Sequence, residues 1–396
     1  MKSRSLSVII GRDRDKKEIS PPLSPASSII FPNYNELENA KLNNTDYGRG
    51  SSKNITALKN ALSLLECSDE YIQSDNDINK LLESCPYDTL IFPSGALACI
   101  FTIISVINKG EHILISRSVY NKISSFVIEE SIKYSFTYDF FDQTDIKKLN
   151  ELIVEKKPSI IYFETPGSDI FDIADIAEIV RVAKENNICT IADNSWATPL
   201  FLKHLEYGVD ITVYSASKYL AGHSDVIMGV MSTKKGILYN KINKKYYAYG
   251  IHASNHDCHM VYRGLRTLYI RIIENSKNAM MVANFLLQHN LIKDVLHPAL
   301  SSFKGNSIWQ KYCKENIGGC FSFILNKKYP HEKLKEILNS MTFFTIGLGW
   351  GGYCSMIKIC DNKDLNIEES VIRIYCGLED PEDLINDIKQ GLEILS

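Results

Sequence analysis

The chain has 396 residues, is 45% hydrophobic and 23% charged, and carries a formal net charge of −3. That length supplies core for two or three domains, and the near-neutral balance offers no basic field for nucleic acid or an anionic membrane. No apolar run reaches the ~18 residues of a membrane span, and the apolar island in MKSRSLSVIIGRDRDKKE is too short for a signal-peptide core, so the cytoplasm is the expected compartment.

Residues 1 to about 48 read as irregular. The stretch ISPPLSPASSIIFP holds four prolines and cannot be a regular helix. It reads as an arm lying on another surface. A helix follows, with Leu58, Ala61, Leu62 and Leu65 on one face. Strands then alternate with helices. The strands are expected at 88–92, 112–116, 135–141, 159–164, 188–193, 211–215 and 226–231. Helices are expected near 96–108, 119–131 and 144–155, and around Ile176, Ile179, Val180 and Ala183. Several strands are apolar on both faces, as in a parallel sheet covered by helices.

The pattern changes near 245. RGLRTLYIRIIENSKNAMMVANFLLQHN reads as one long, kinked helix. Strands follow at 320–325, 355–360 and 371–376, and Asp380 with Pro381 opens a closing helix. The expected division is an arm over 1–55, a large α/β domain over 56–245 and a smaller α+β domain over 246–396. The ten cysteines form no CxxC pair, and Cys99, Cys189, Cys360 and Cys376 sit in apolar runs, so buried free thiols are expected rather than disulfides.

In open α/β sheets, ligands bind beyond the carboxyl ends of the strands. Four segments place polar residues there. Ser94-Gly95-Ala96 opens a helix, whose free N–H groups suit a phosphate; the same residues also make an ordinary turn and N-cap. Tyr120 follows a strand and either stacks on a planar ring or simply packs. Asp193 ends a buried strand, where a carboxylate needs a partner or caps a turn. Lys218 stands past a strand between Ser215, Ser217 and a run of small polar residues. A lysine in a dry pocket has a lowered pKa and attacks carbonyls, although one can also snorkel from a strand end. Together the four ask for a planar, phosphorylated heteroaromatic aldehyde, which is pyridoxal phosphate. Lys218 would take the aldehyde and Asp193 would hold the ring-nitrogen proton.

These segments resemble the pyridoxal-phosphate enzymes of cysteine and methionine metabolism, along nearly the whole chain from about Pro21 to Ile388. The resemblance implies fold type I, the aspartate-aminotransferase-like fold: a large, mostly parallel-sheet α/β domain and a smaller C-terminal α+β domain. YGRGSSKNITALKNALSLLE is similar to the family's Tyr-x-Arg segment, RGLRTL is a further signature, and Tyr120, Asp193, Ser215, Ser217 and Lys218 fall on cofactor positions. By resemblance, Tyr47 and Arg49 reach the phosphate of a neighbouring subunit's cofactor. That implies a homo-oligomer, a dimer or a tetramer of dimers. Arg373 falls on the arginine that grips the substrate α-carboxylate.

Within the family, FETPGSDI and GWGGYCS resemble the bacterial cystathionine β-lyase branch, with Ser168 and Trp350 on its substrate side. Gly349 stands where that branch has serine, and Leu348 where it has tyrosine. The implied reaction is β-cleavage of L-cystathionine to homocysteine, pyruvate and ammonia, a step of methionine biosynthesis, with Lys218, Tyr120 and Tyr47 as catalytic groups. γ-Synthase, γ-lyase, cysteine desulfhydrase and racemase activities share its first step. Two rivals remain from other classes. Gly347-x-Gly349-x-x-Gly352 matches a dinucleotide fingerprint, but strand rather than helix is expected after it. His252, His256, Cys258 and His259 have zinc-like donors, but their segment leads into RGLRTL and no metal is expected. A fold retained for binding without catalysis is a third possibility.

Overall fold

The computed structural model describes residues 2–10, 19–42, 45–50, 52–360 and 367–395. Seven strands build the large sheet: β1 (Tyr87–Phe92), β2 (His112–Ser116), β3 (Thr137–Phe141), β4 (Ile160–Glu164), β5 (Cys189–Asp193), β6 (Ile211–Ser215) and β7 (Gly229–Lys234). Their order is β1-β7-β6-β5-β4-β2-β3. Only β7 runs antiparallel to its neighbours. The other six therefore point one way, and their carboxyl ends gather at one edge.

All seven expected strands are present, and two of their starts shift by more than one residue. The strand expected from 135 begins at Thr137, because Ser135 takes the left-handed conformation that ends the preceding helix. The strand expected from 226 begins at Gly229, because the Ser217 hydroxyl occupies both backbone groups of Met228.

Alternate residues of each strand enter opposite cores. Leu90, Phe92, Ile113 and Ile115 meet the helices Gly95–Val106, Asn121–Tyr134 and Ile237–Ala248 on one face. Ile91, Leu114, Ile161 and Phe163 meet Lys53–Leu65, Ile146–Lys156 and Ile176–Glu185 on the other. The result is a helix–sheet–helix sandwich.

A second sheet holds β8 (Ile292–Leu296), β9 (Cys320–Leu325), β10 (Thr345–Ile346), β11 (Met356–Ile359) and β12 (Val371–Tyr375), in the order β10-β11-β12-β9-β8. It packs on Leu268–Leu287, and Pro381–Glu393 packs on that helix in turn. Asp380 caps Pro381–Glu393 by accepting the Glu382 N–H at 2.9 Å, as expected.

Two expectations are corrected. Residues 1–48 are not wholly irregular, for Ser3–Ile9 and Tyr34–Leu42 are helices. Leu6 and Ile10, four apart, enter the core of their own chain, where Arg266 donates to Ser7 O at 2.7 Å and Ile10 O at 2.6 Å. The proline-rich stretch is extended. It is pinned on the same chain, with Ser24 N–H donating to Asn54 Oδ1 and Asn255 Nδ2 donating to Ser24 O, both at 2.8 Å. The long helix after Arg263 is really two, Asn255–Leu265 and Leu268–Leu287. Arg271 bridges the break by donating to Gly264 O at 2.8 Å and Thr267 Oγ1 at 3.1 Å. All ten cysteines are free thiols, and no described helix is long and apolar enough to cross a membrane.

Candidate active site

Five strand ends converge on a cavity of about 820 Å³. β1 delivers Ser94 to Ala96, β2 delivers Tyr120, β4 delivers Glu164 and Ser168, β5 delivers Asp193, and β6 delivers Ser215 to Lys218. The second sheet closes the cavity with Arg373 from β12 and Lys358 from β11, and the 347–352 loop adds Leu348, Gly349 and Trp350.

Ser94 caps Gly95–Val106 by accepting the Leu97 N–H at 3.1 Å. The N–H groups of Gly95 and Ala96 lie before that bond, and no described residue accepts from them. A Cβ on Gly95 would come within 2.8 Å of Ser215 Cβ, so glycine is what lets this helix start press against β6. Ser215 donates its N–H to Ser195 Oγ at 2.8 Å, and the Ser217 hydroxyl is committed to Met228.

Asp193 is 5% exposed. Oδ1 accepts the Ser195 N–H at 2.8 Å and Oδ2 the Cys99 thiol at 3.6 Å. Burial pushes its pKa up, against the Ser195 and Cys99 bonds and the Lys218 charge. Glu164 sits beside it in the parallel register and accepts the Tyr120 N–H at 2.7 Å. Burial first, then the Asp193 charge, drive the Glu164 carboxyl well above its usual range. Tyr120 itself is 44% exposed, its phenol pushed up mainly by burial.

The side-chain amine of Lys218 makes no hydrogen bond or ion pair with a described residue. Its Nζ lies 5.3 Å from the centre of the Trp350 ring. Burial lowers its pKa, and the Arg373 charge pushes the same way, while Cys320 and Asp193 oppose. Gly351, at φ +86°, brings the loop onto this lysine, since a Cβ there would lie 2.7 Å from Tyr219 N. The glycines 347, 349 and 352 thus serve a loop that leads into β11 rather than a helix, which sets aside the dinucleotide reading. Arg373 donates to Asp169 Oδ1 at 3.0 Å and to Leu348 O at 2.7 Å.

A buried amine free of partners, a buried carboxylate without a cation and a helix start with open donors thus share one cavity. The sequence profile described as "Cys/Met metabolism PLP-dependent enzyme" matches residues 4–393. The chain belongs to this pyridoxal-phosphate family. Among its relatives is the L-alanine/L-glutamate racemase of Wolbachia pipientis wMel, 37% identical over 99% of this chain and 97% of that protein. The cystathionine β-lyase of Escherichia coli is 27% identical over 97% of this chain and 96% of its own. A crystal structure of cystathionine γ-synthase from Xanthomonas oryzae pv. oryzae matches with a TM-score of 0.87 at 23% identity, covering 100% of this chain and 98% of the other, and establishes fold type I.

The cofactor of the Cys/Met family, pyridoxal phosphate, fits what is here. Lys218 would meet its aldehyde, Asp193 its ring nitrogen, and the Gly95–Ala96 helix start its phosphate. Tyr47 and Arg49 do not line this cavity. Tyr47 is 46% exposed, with the Arg49 guanidinium 5.6 Å from its ring centre. The proposed zinc donors diverge: Cys258 is buried while His256 faces solvent beside Asp257, and no metal-binding cluster forms among the described residues. Glu164, Asp169 and Lys358 were not singled out in the sequence, and Cys99 was read only as a buried thiol. Glu164 carries the signal that singled out Asp193, a carboxylate ending a buried strand. Lys358 is a charge inside the apolar run SMIKIC.

Proposed function

We propose that this chain is an amino-acid racemase that removes and returns the α-proton through Lys218. Carbon–sulfur β-elimination is its outcome with a substrate that carries a thiolate leaving group. The observation that carries the reading is Lys218 itself: a desolvated, unpartnered amine in one cavity with Arg373 and Asp193.

Bound pyridoxal phosphate supplies the electron sink that acidifies the α-C–H bond. Arg373 holds the substrate carboxylate through paired N–H donors and so fixes which bond faces Lys218. Lys218, whose pKa burial lowers toward that of a working base, takes the proton. Asp193 would keep a proton at the ring nitrogen. The Ser94–Ala96 turn and Ser215 would hold the phosphate. Ser217 shapes that corner through its bonds to Met228. Trp350 covers the amine and limits water. Tyr120, and Tyr47 from a second copy of the chain, are the hydroxyls proposed to assist the proton's return. Arg49 would reach the second copy's phosphate, which makes a homo-oligomer part of the reading.

Racemisation is favoured by the 37% identity to the Wolbachia enzyme, against 27% to the E. coli β-lyase. Gly349 and Leu348, the two departures from the β-lyase motif, line the cavity. β-Elimination from L-cystathionine, giving homocysteine, pyruvate and ammonia, is the second reading. It is supported by the FETPGSDI and GWGGYCS segments and by relatives named cystathionine β-lyase. Incubation with L-alanine in D2O tests the first reading; the expected product is D-alanine deuterated at the α-carbon. Pyruvate from L-cystathionine with no D-alanine from L-alanine would transfer the assignment to β-cleavage. Neither product would remove both.

A further inference from the structure

Lys358 on β11 and Arg373 on β12 are direct cross-strand partners, so their side chains leave the sheet on the same face. Both line the cavity. Asp169 stands between them: Oδ2 accepts from Lys358 Nζ at 2.8 Å and Oδ1 from Arg373 Nη1 at 3.0 Å. Asp169 holds this place from a left-handed backbone, at φ +63°. Such strain in a non-glycine residue is found where its neighbours fix it.

The assigned reaction needs one guanidinium for the α-carboxylate. It gives no work to Lys358, a second cation within reach of the same carboxylate. An ammonium carries three donors, and among the described residues only Asp169 accepts from this one. The surroundings do not absorb its charge either. Besides Lys218, four cationic side chains (Arg117, Lys122, Lys358 and Arg373) line the cavity against three carboxylates, Glu164, Asp169 and Asp193. Of the three, Glu164 is driven toward its protonated form and Asp193 is committed to the ring nitrogen.

We propose that Lys358 is a specificity determinant that binds the side-chain carboxylate of acidic α-amino acids, beside the α-carboxylate held by Arg373. The inference rests on the racemase reading, since an acidic amino acid offers no thiolate to expel. Cross-strand neighbours stand ~5 Å apart at Cβ. The head groups themselves meet on the two oxygens of one Asp169 carboxylate, close enough together for two carboxylates spaced by two or three carbons.

The test uses unreactive acids on the holoenzyme, with calorimetric Kd as the readout. Glutarate carries two carboxylates, and pentanoate is its five-carbon counterpart with one. The native enzyme is expected to prefer glutarate by about tenfold or more, the scale of a charge-assisted bond. Lys358→Met should bring the ratio of the two Kd values near one, and Lys358→Arg should keep most of it. Taking the ratio within each variant cancels any change at Arg373. No preference in the native enzyme, or a preference that survives in Lys358→Met, would overturn the subsite. Binding of neither acid would overturn it as well. The racemase reading stands or falls separately, on D-alanine formation.

Discussion

A carboxylate at the end of a fully covered strand is unfavourable until something positive meets it. Asp193 has a backbone N–H and a thiol for company, and among the described residues no cation pairs with it. Asp193→Ala is therefore expected to retain cofactor on Lys218, seen as its visible absorption, while kcat falls ~10²-fold or more, the scale of a lost electrostatic group. An undiminished kcat would mean that the carboxylate is structural. Asp193 and Lys218 were legible in the sequence because each is chemically out of place in its run. Glu164 carries the same local signal and was passed over; its coupling to Asp193 depends on β4 lying beside β5, a pairing that no local pattern encodes. Lys358 escaped for the same reason: its significance comes from Arg373 across the ladder.

At the scale of elements, strands buried on both faces announced themselves, and all seven of the large sheet were found. β8 was missed, since its Lys293 and Asp294 are exposed and break the apolar run. The helix Ser3–Ile9 was missed because tertiary burial of Leu6 and Ile10, not local propensity, holds it. The turn after β8 carries His297, buried against Trp196 and Phe321. Its Nε2 pairs with Gly318 O at 2.9 Å, and its Nδ1 accepts the Ala299 N–H at 3.1 Å, so the neutral ring is fully used. Burial lowers its pKa from 6.5 to about 4. The unfolded chain binds this proton first, so the stabilisation is full above pH 6.5 and is lost as pH falls toward about 4. The loss is roughly 3 kcal/mol at most. His297→Gln should therefore show a smaller fall in thermal midpoint between pH 7.5 and pH 5 than the native chain, the two values lying on either side of the ordinary histidine pKa. Equal falls would remove His297 from the account. His204, buried and lowered to about 3, works in the same direction.

On the scale of the whole molecule, the alternation of strands and helices gave the fold class, but not the insertion of β7 between β1 and β6, which is a long-range choice. Tyr47 and Arg49 lie outside their own cavity, so the proposed assembly has a direct consequence. Arg49→Ala and Lys218→Ala should each be nearly inactive alone. Mixing them under conditions of subunit exchange should restore activity toward about a quarter of native sites, because half of the dimers are mixed and each mixed dimer holds one intact site. Activity no greater than the sum of the separate variants would place both residues in the service of their own chain. Underneath every one of these expectations is the bond between Lys218 and the cofactor. Borohydride reduction of the holoprotein followed by peptide mapping reads it directly. A pyridoxyl-phosphate adduct on the peptide carrying Lys218 is the expected result; an adduct on another lysine, or an unmodified Lys218, would contradict it.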